Sequence, residues 1–160
     1  MIKLFKSSKK IAIKAPVSGK IIPLESVSDE VFAQKMMGDG IAIIPNDGQI
    51  VSPVDGTIGM IADTKHALGI TTKNGLEVIL HLGIDTVELN GSPFKMEVTN
   101  GAIVKAGQPI ASMDIEQIQE AKKDPVVMTL FTNSSEKIKE FNPKSGNTNI
   151  SEDVADIILN

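Results

Sequence analysis

The chain contains no cysteine, no tryptophan and no tyrosine, and aromatic residues make up only 3% of it. Without cysteine there are no disulfides, no thiolate metal sites and no cysteine nucleophile. Arginine is missing as well, since all 16 basic residues are lysine. The chain therefore cannot supply its own planar guanidinium clamp for phosphate chemistry. Those 16 lysines face 20 acidic residues, for a net charge of −4. This mild acidity argues against a nucleic-acid binder, which normally carries a basic face. No apolar run exceeds the four residues of Ile41-Ala42-Ile43-Ile44, far short of a bilayer span. Lys3, Lys6, Lys9 and Lys10 precede no apolar stretch of secretory-signal length, which leads us to expect a cytoplasmic protein.

What is present is the texture of an all-β chain. Thirteen glycines and eight prolines punctuate short runs of Ile, Val, Leu and Thr, as in an antiparallel β-sandwich or barrel-like fold with a few short helical turns. Strands are expected at Lys20–Leu24, Ile41–Ile44, Gly56–Ile61, His66–Thr72, Leu76–Leu82, Phe94–Val98, Pro109–Met113, Val126–Phe131 and Val154–Leu159. Asp114 is placed to cap a helix over Ile115–Lys123 that Pro125 would stop, and one more turn is expected over Asp29–Met36. The run Ala15-Pro16-Val17-Ser18-Gly19-Lys20-Ile21 recurs as Ser52-Pro53-Val54-Asp55-Gly56-Thr57-Ile58, an internal duplication of a strand motif with no third copy. Residues 11–160 read as one domain. Residues 1–10 read as a flexible basic tail whose Ile2, Leu4 and Phe5 would allow weak contact with a membrane surface.

Only two histidines exist, His66 and His81, each in an expected strand with Lys73-Asn74-Gly75 between them as a hairpin signal. A two-residue loop at Lys73-Asn74 sets the imidazoles directly opposite one another, and one at Asn74-Gly75 sets them diagonally. Both arrangements keep them on one face, whereas a three-residue loop would send them to opposite faces. Leu76, Val78, Leu80 and Leu82 alternate as a core stripe, so Ile79 and His81 point the other way, with Gly83 leaving room beside the ring.

Pro53-Val-Asp-Gly-Thr-Ile-Gly59, Thr64-Lys-His66-Ala and Glu77-Val-Ile-Leu-His81-Leu-Gly-Ile-Asp-Thr-Val-Glu-Leu89 together resemble the glucose-type enzyme IIA family. Its members are phosphocarriers of the bacterial phosphoenolpyruvate-dependent sugar phosphotransferase system, and the likeness runs from about Ile11 to the C-terminus. The resemblance implies a β-sandwich with a shallow apolar face around the histidine pair. It implies His81 as the phosphorylated nucleophile, His66 as its phosphoryl-stabilising partner and Thr64 as the residue that orients His66. It implies Asp39 and Asp85 as rim carboxylates, with Leu68, Ile79 and Leu82 where relatives often carry Phe. The implied partners are HPr as phosphate donor, the IIB domain of a sugar permease as acceptor, and regulatory targets that dock on the same face. No cofactor is expected.

The chemistry fits these residue types. A neutral imidazole is a competent nucleophile near pH 7, and phosphoryl transfer depends mostly on positioning and charge stabilisation. With no arginine in the chain, the cationic stabiliser has to come from the donor. Two other readings stand beside this one. His81-Leu82-Gly83-Ile84-Asp85 has the spacing of part of a zinc-peptidase site, with His66, His81 and Asp85 as ligands, although the further histidines such enzymes need are missing. No resident metal is expected, and His66 and His81 would be at most adventitious zinc ligands. Phe94-Lys95-Met96 faintly resembles a biotinyl or lipoyl hairpin, without its usual flanking residues.

Overall fold

The computed structural model describes residues 9–160. Its strands in chain order are β1 Lys10–Lys14, β2 Gly19–Pro23, β3 Asp39–Pro45, β4 Gln49–Val51, β5 Gly56–Ile61, β6 Ala67–Thr71 and β7 Glu77–Ile84. They continue as β8 Phe94–Met96, β9 Ile103–Val104, β10 Pro109–Met113, β11 Asp124–Phe131, β12 Ile138–Pro143, β13 Gly146–Thr148 and β14 Asp153–Leu159. Three short helices, α1 Glu30–Ala33, α2 Ile115–Glu120 and α3 Ser134–Lys137, and 3-10 turns at Leu24–Ser26 and Thr86–Leu89 complete the described residues. All strand pairs are antiparallel. One sheet runs β13-β2-β3-β11-β7-β6-β5-β9, and two three-stranded sheets run β1-β14-β12 and β4-β10-β8.

The expected all-β sandwich is the fold observed. Gly56–Ile61 and Pro109–Met113 match their expected bounds, and the other expected strands shift at their ends by one or two residues. Five strands escape the sequence reading for identifiable reasons. β4 and β9 are only three and two residues long, too short for alternation to register. β13 reads Gly-Asn-Thr, with no apolar residue, and β12 ends in a proline, as an edge strand can. β1 begins at Lys10, the last residue assigned to the tail, and Lys10 pairs there with Ile158. The rest of the tail, with its expected membrane contact, lies outside the described residues apart from Lys9. Asp114 and Asp29 do cap helices, accepting from the Gln117 amide at 3.0 Å and the Val31 amide at 2.8 Å. Both helices are shorter than expected because Lys122 and Lys35 adopt left-handed backbone, with φ of 62° at each.

The main core lies between the large sheet and the two small ones, where Ile21, Ile43, Ile58, Ile70 and Leu80 meet Ile50, Ile110, Ile13 and Ile157. A second, smaller cluster sits on the outer face of β3, β7 and β11. Ala42, Ile84, Val126, Met128 and Leu130 are covered there by Leu24, Val27 and the α1 residues Phe32 and Ala33. That roof brings α1 to the histidines.

The duplicated motif extends far beyond seven residues. The Lys14 amide donates to the Pro53 carbonyl and the Val51 amide to the Pro16 carbonyl, both at 2.9 Å, so the two copies bond reciprocally about a pseudo-two-fold axis. Matching pairs continue outward: Ala12 opposite Asp156 and Gln49 opposite Ser112, Gly19 opposite Thr148 and Gly56 opposite Val104. They continue inward as Ile21 opposite Ile43 and Ile58 opposite Ile70, then Gly40 opposite Leu130 and Ala67 opposite His81. The axis passes through the central pair Thr129–Leu80. One copy runs unbroken from β4 to β10 and is inserted into the other between β3 and β11.

Thr129 faces the main core at this axis, and its buried hydroxyl has no hydrogen-bond partner. A buried unpaired hydroxyl costs about 1–3 kcal/mol. Thr129→Val keeps the shape and removes the orphan, and is expected to raise stability by about 1 kcal/mol. A higher urea midpoint at unchanged m-value is the readout.

Candidate functional site

The alternation in β7 displays His81 as expected. Val78, Leu80 and Leu82 are buried in the main core, while Ile79 and His81 face outward and are half-buried. The roof over the outer cluster places the Phe32 ring 4.8 Å from that of His81, tilted by 54°. Beyond His81 the strand bends. Gly83 has a φ of 85°, and its carbonyl lies 2.7 Å from His81 Nδ1. A carbonyl oxygen only accepts, so Nδ1 carries the proton and Nε2 keeps a free lone pair. The buried Thr86 hydroxyl donates to the Leu82 carbonyl at 2.6 Å, and Asp85, in left-handed backbone at φ 61°, heads the 3-10 turn that follows. His81-Leu-Gly-Ile-Asp-Thr86 is thus one structural unit that fixes a tautomer.

His66 arrives by a route the sequence reading did not foresee. The hairpin loop is Lys73-Asn74-Gly75, three residues long, closed by the Thr72 amide on the Leu76 carbonyl at 3.0 Å. Ala67, not His66, therefore pairs with His81. Continued strand alternation would send His66 to the core side with Leu68. Instead β6 starts only at Ala67, and Lys65 takes a φ of 60°. The His66 carbonyl still accepts from the Leu82 amide at 2.7 Å, but its ring swings outward. The two imidazole centroids lie 5.2 Å apart with planes at 75°. Thr64 Oγ1 is 2.6 Å from His66 Nδ1; with the hydroxyl donating, the ring proton sits on Nε2. The rings share a face through a bend and not through the expected register.

Around the pair lies a shallow cavity of about 230 Å³ edged by Asp29, Val31, Phe32, Asp85 and Val87. Val31 and Val87 leave 43% and 47% of their surface exposed, an apolar rim beside two carboxylates. Residues 11–137 match the family model described as phosphoenolpyruvate-dependent sugar phosphotransferase system, EIIA 1. The chain belongs to that family. It is 40% identical over 126 residues to a glucose-specific EIIA component from Oceanobacillus iheyensis, covering 79% of this chain and 76% of that one. Against a glucose-specific EIIA component from Bacillus cereus the identity is 44% over 129 residues, with 79% and 78% covered. The solved glucose permease IIA from Mycoplasma capricolum superimposes with a TM-score of 0.85 at 34% identity, covering 96% of this chain and 99% of that one.

Not every expected position in this EIIA chain reaches the cavity. Asp39 stands at the head of β3, 3.5 Å from the Lys35 ammonium, and lines a separate cavity with Ile22, Phe141 and Lys144. The pseudo-two-fold axis explains this, because Asp39 occupies in one copy the place that His66 occupies in the other. Asp29 is the carboxylate that joins Asp85 at the rim, and Phe32 supplies the aromatic contact. Both come from the Asp29–Met36 turn that the sequence reading expected without connecting it to the histidines; a lone Phe beside a cap in an otherwise all-β chain was the available signal. Leu68 and Leu82 are fully buried in the main core and cannot meet a partner. Ile79 is half-buried against the outer cluster. Among the described residues no three His, Asp or Glu side chains are grouped to hold a metal, so Asp85 does not complete a zinc site. Lys95 lies within β8 opposite Ser112, not at the hairpin tip a swinging arm requires.

Burial pushes the His81 pKa down; the Gly83 hydrogen bond, Asp29 and Asp85 pull it partly back up, and His66 pushes it down again. Burial also lowers His66. Both imidazoles are thus neutral at pH 7. Below the ordinary imidazole pKa of about 6.5 the unfolded chain binds more protons than the folded one. Stability contributed here is therefore complete above that pH and falls as the pH drops through it toward the folded values. We expect a lower urea midpoint at about pH 5 than at about pH 8. The difference should shrink in His81→Gln; an unchanged difference would remove the histidine from the explanation.

Proposed function

We propose that this EIIA chain is a phosphoryl carrier. His81 Nε2 attacks the phosphorus held on the phosphohistidine of HPr. The new P–N bond forms as the old one breaks, and the donor imidazole leaves with its electron pair. The group then passes by the same exchange to the cysteine thiolate of a IIB domain. The observation that carries this reading is the 2.7 Å contact between His81 Nδ1 and the Gly83 carbonyl, which leaves Nε2 as the nucleophilic nitrogen. His66, oriented by Thr64, offers its Nε2–H to the phosphoryl oxygens.

Asp29 and Asp85 favour encounter with a basic donor and repel the incoming dianion, so that the phosphorylated state stays ready to transfer. Val31, Phe32 and Val87 form the apolar docking rim. The chain has no arginine, and among the described residues no lysine lines the histidine cavity, so cationic stabilisation falls to the partner. A glucose-specific EIICBA component from Streptococcus pneumoniae supports the IIB partnership: it is 46% identical over 115 residues, 72% of this chain and 16% of that protein. This work belongs in the cytoplasm. Incubation with phosphoenolpyruvate, enzyme I and HPr is expected to give one acid-labile phosphate on the His81 peptide, and label elsewhere or none overturns the reading.

A further inference from the structure

We infer that Lys65 is a positioning residue, whose left-handed backbone, and not its charge, turns His66 out of strand register and onto His81. This rests on the phosphocarrier reading for its consequence, though not for its geometry. The β5–β6 connection is closed by the Lys65 amide on the Ala62 carbonyl at 2.8 Å and by the Ala62 amide on the Ala67 carbonyl at 3.0 Å. Within it Lys65 has a φ of 60°. One residue later the His66 carbonyl keeps its ladder bond to the Leu82 amide while its side chain leaves the core-facing course that Leu68 resumes. The turn thus lets the backbone stay in the sheet while the ring changes sides.

The inserted copy's partner supplies an internal comparison. Gly38 precedes Asp39 as Lys65 precedes His66, and Gly38 also has a positive φ, 102°. There a side chain is excluded in any case, because a Cβ would meet the Phe131 carbonyl. At Lys65 a side chain fits, yet the same backbone sign is kept. Left-handed backbone is most natural to Gly, is tolerated by Asn, and is strongly disfavoured by β-branched residues. Among the described residues the Lys65 ammonium forms no ion pair, which leaves conformation as the property in use.

The test separates conformation from charge. Lys65→Gly and Lys65→Asn remove the charge but accept positive φ, and both are expected to transfer phosphate from HPr and onward to IIB within about 2-fold of the parent. Lys65→Val removes the same charge and resists that backbone, and is expected to slow transfer by about 10-fold to 100-fold, in line with the cost of a misplaced group. It should also lose the nuclear Overhauser contact between the His66 and His81 rings while keeping a dispersed, folded amide spectrum. Equal losses in all three variants would assign the role to charge, and no loss in Lys65→Val would end the inference. Should the valine variant fail to fold, the parent decides: a Lys65 without the strong intraresidue amide–Hα contact of positive φ, or rings without a cross-peak, overturns it. A parent that carries no phosphate while keeping those contacts would fault the carrier reading alone.

Discussion

His81→Ala is expected to abolish labelling by phosphoenolpyruvate, enzyme I and HPr while the protein stays folded. Nothing else in the cavity can replace the lost nitrogen. His66 accepts from the Thr64 hydroxyl at Nδ1, 2.6 Å away, so its Nε2 carries the proton and presents no lone pair, and the chain holds no third histidine and no cysteine. The fold should survive because the His81 side chain lies on the outer face, half-buried, and its β7 backbone bonds do not depend on it. His66→Gln should behave differently. Acceptance of phosphate continues, but transfer falls by about 10²–10³, the usual loss when one preorganised donor to a charged oxygen is removed. Phosphorelay assays with separate HPr and IIB stages distinguish the two. Normal labelling of His81→Ala, or an unaltered His66→Gln, would contradict the assigned roles.

Gly83→Ala is the second large effect. A Cβ at this position would stand 2.5 Å from Thr86 Cγ2 and 2.9 Å from the Asp124 carbonyl, at a φ of 85° that side chains avoid. Left-handed backbone costs a residue with a Cβ about 1–2 kcal/mol, and forcing a methyl into filled space adds about 1–3 kcal/mol. The expected loss is about 2–5 kcal/mol, the sum of those ranges. Thr86 cannot retreat freely, because its hydroxyl is spent on the Leu82 carbonyl. Relief would instead come from rotating the Gly83 peptide, which withdraws the carbonyl from His81 Nδ1. Chemical denaturation should show the destabilisation, and nitrogen-15 shifts of His81 should show a mixture of tautomers. A variant as stable as the parent and with a single tautomer would show that Gly83 matters less than its geometry indicates.

The fold class and the histidine pair were legible in the sequence because both rest on local chemistry. Alternation fixed the outward display of His81, and Gly, Pro and β-branched runs marked most strands. Position across the sheet was not legible. The register of the β6–β7 hairpin turned on whether its loop held two residues or three, and Lys73-Asn74-Gly75 admits either. Asp29 and Phe32 reach His81 only because the roof of the outer cluster folds over β7, a long-range packing event with no periodic signature. Asp39 misled for a related reason. Its Gly-Asp-Gly setting is a good turn, and the resemblance gave it a role, but the pseudo-symmetry of the sheets places it in the other copy. The expected tail ended one residue late because Lys10 looks solvated, whereas Lys10 is held by β14.

The nested arrangement of the two copies bears on how such a chain can find its native state. The inserted copy is a chain of near neighbours: β5, β6 and β7 follow one another as hairpins, and its ends meet where the Met113 amide donates to the Gly48 carbonyl at 2.8 Å. The surrounding copy must instead join β3 to β11 across everything from Pro45 to Asp124. Closing a long excursion costs entropy before any contact repays it, and sheets dominated by distant pairings form slowly for that reason. Once the inner copy has formed, its clasped ends reduce that excursion to the two short stretches from Pro45 to Gly48 and from Met113 to Asp124. The half that bears both imidazoles is therefore the natural nucleus, and the outer half completes itself around a centre whose reactive geometry already exists.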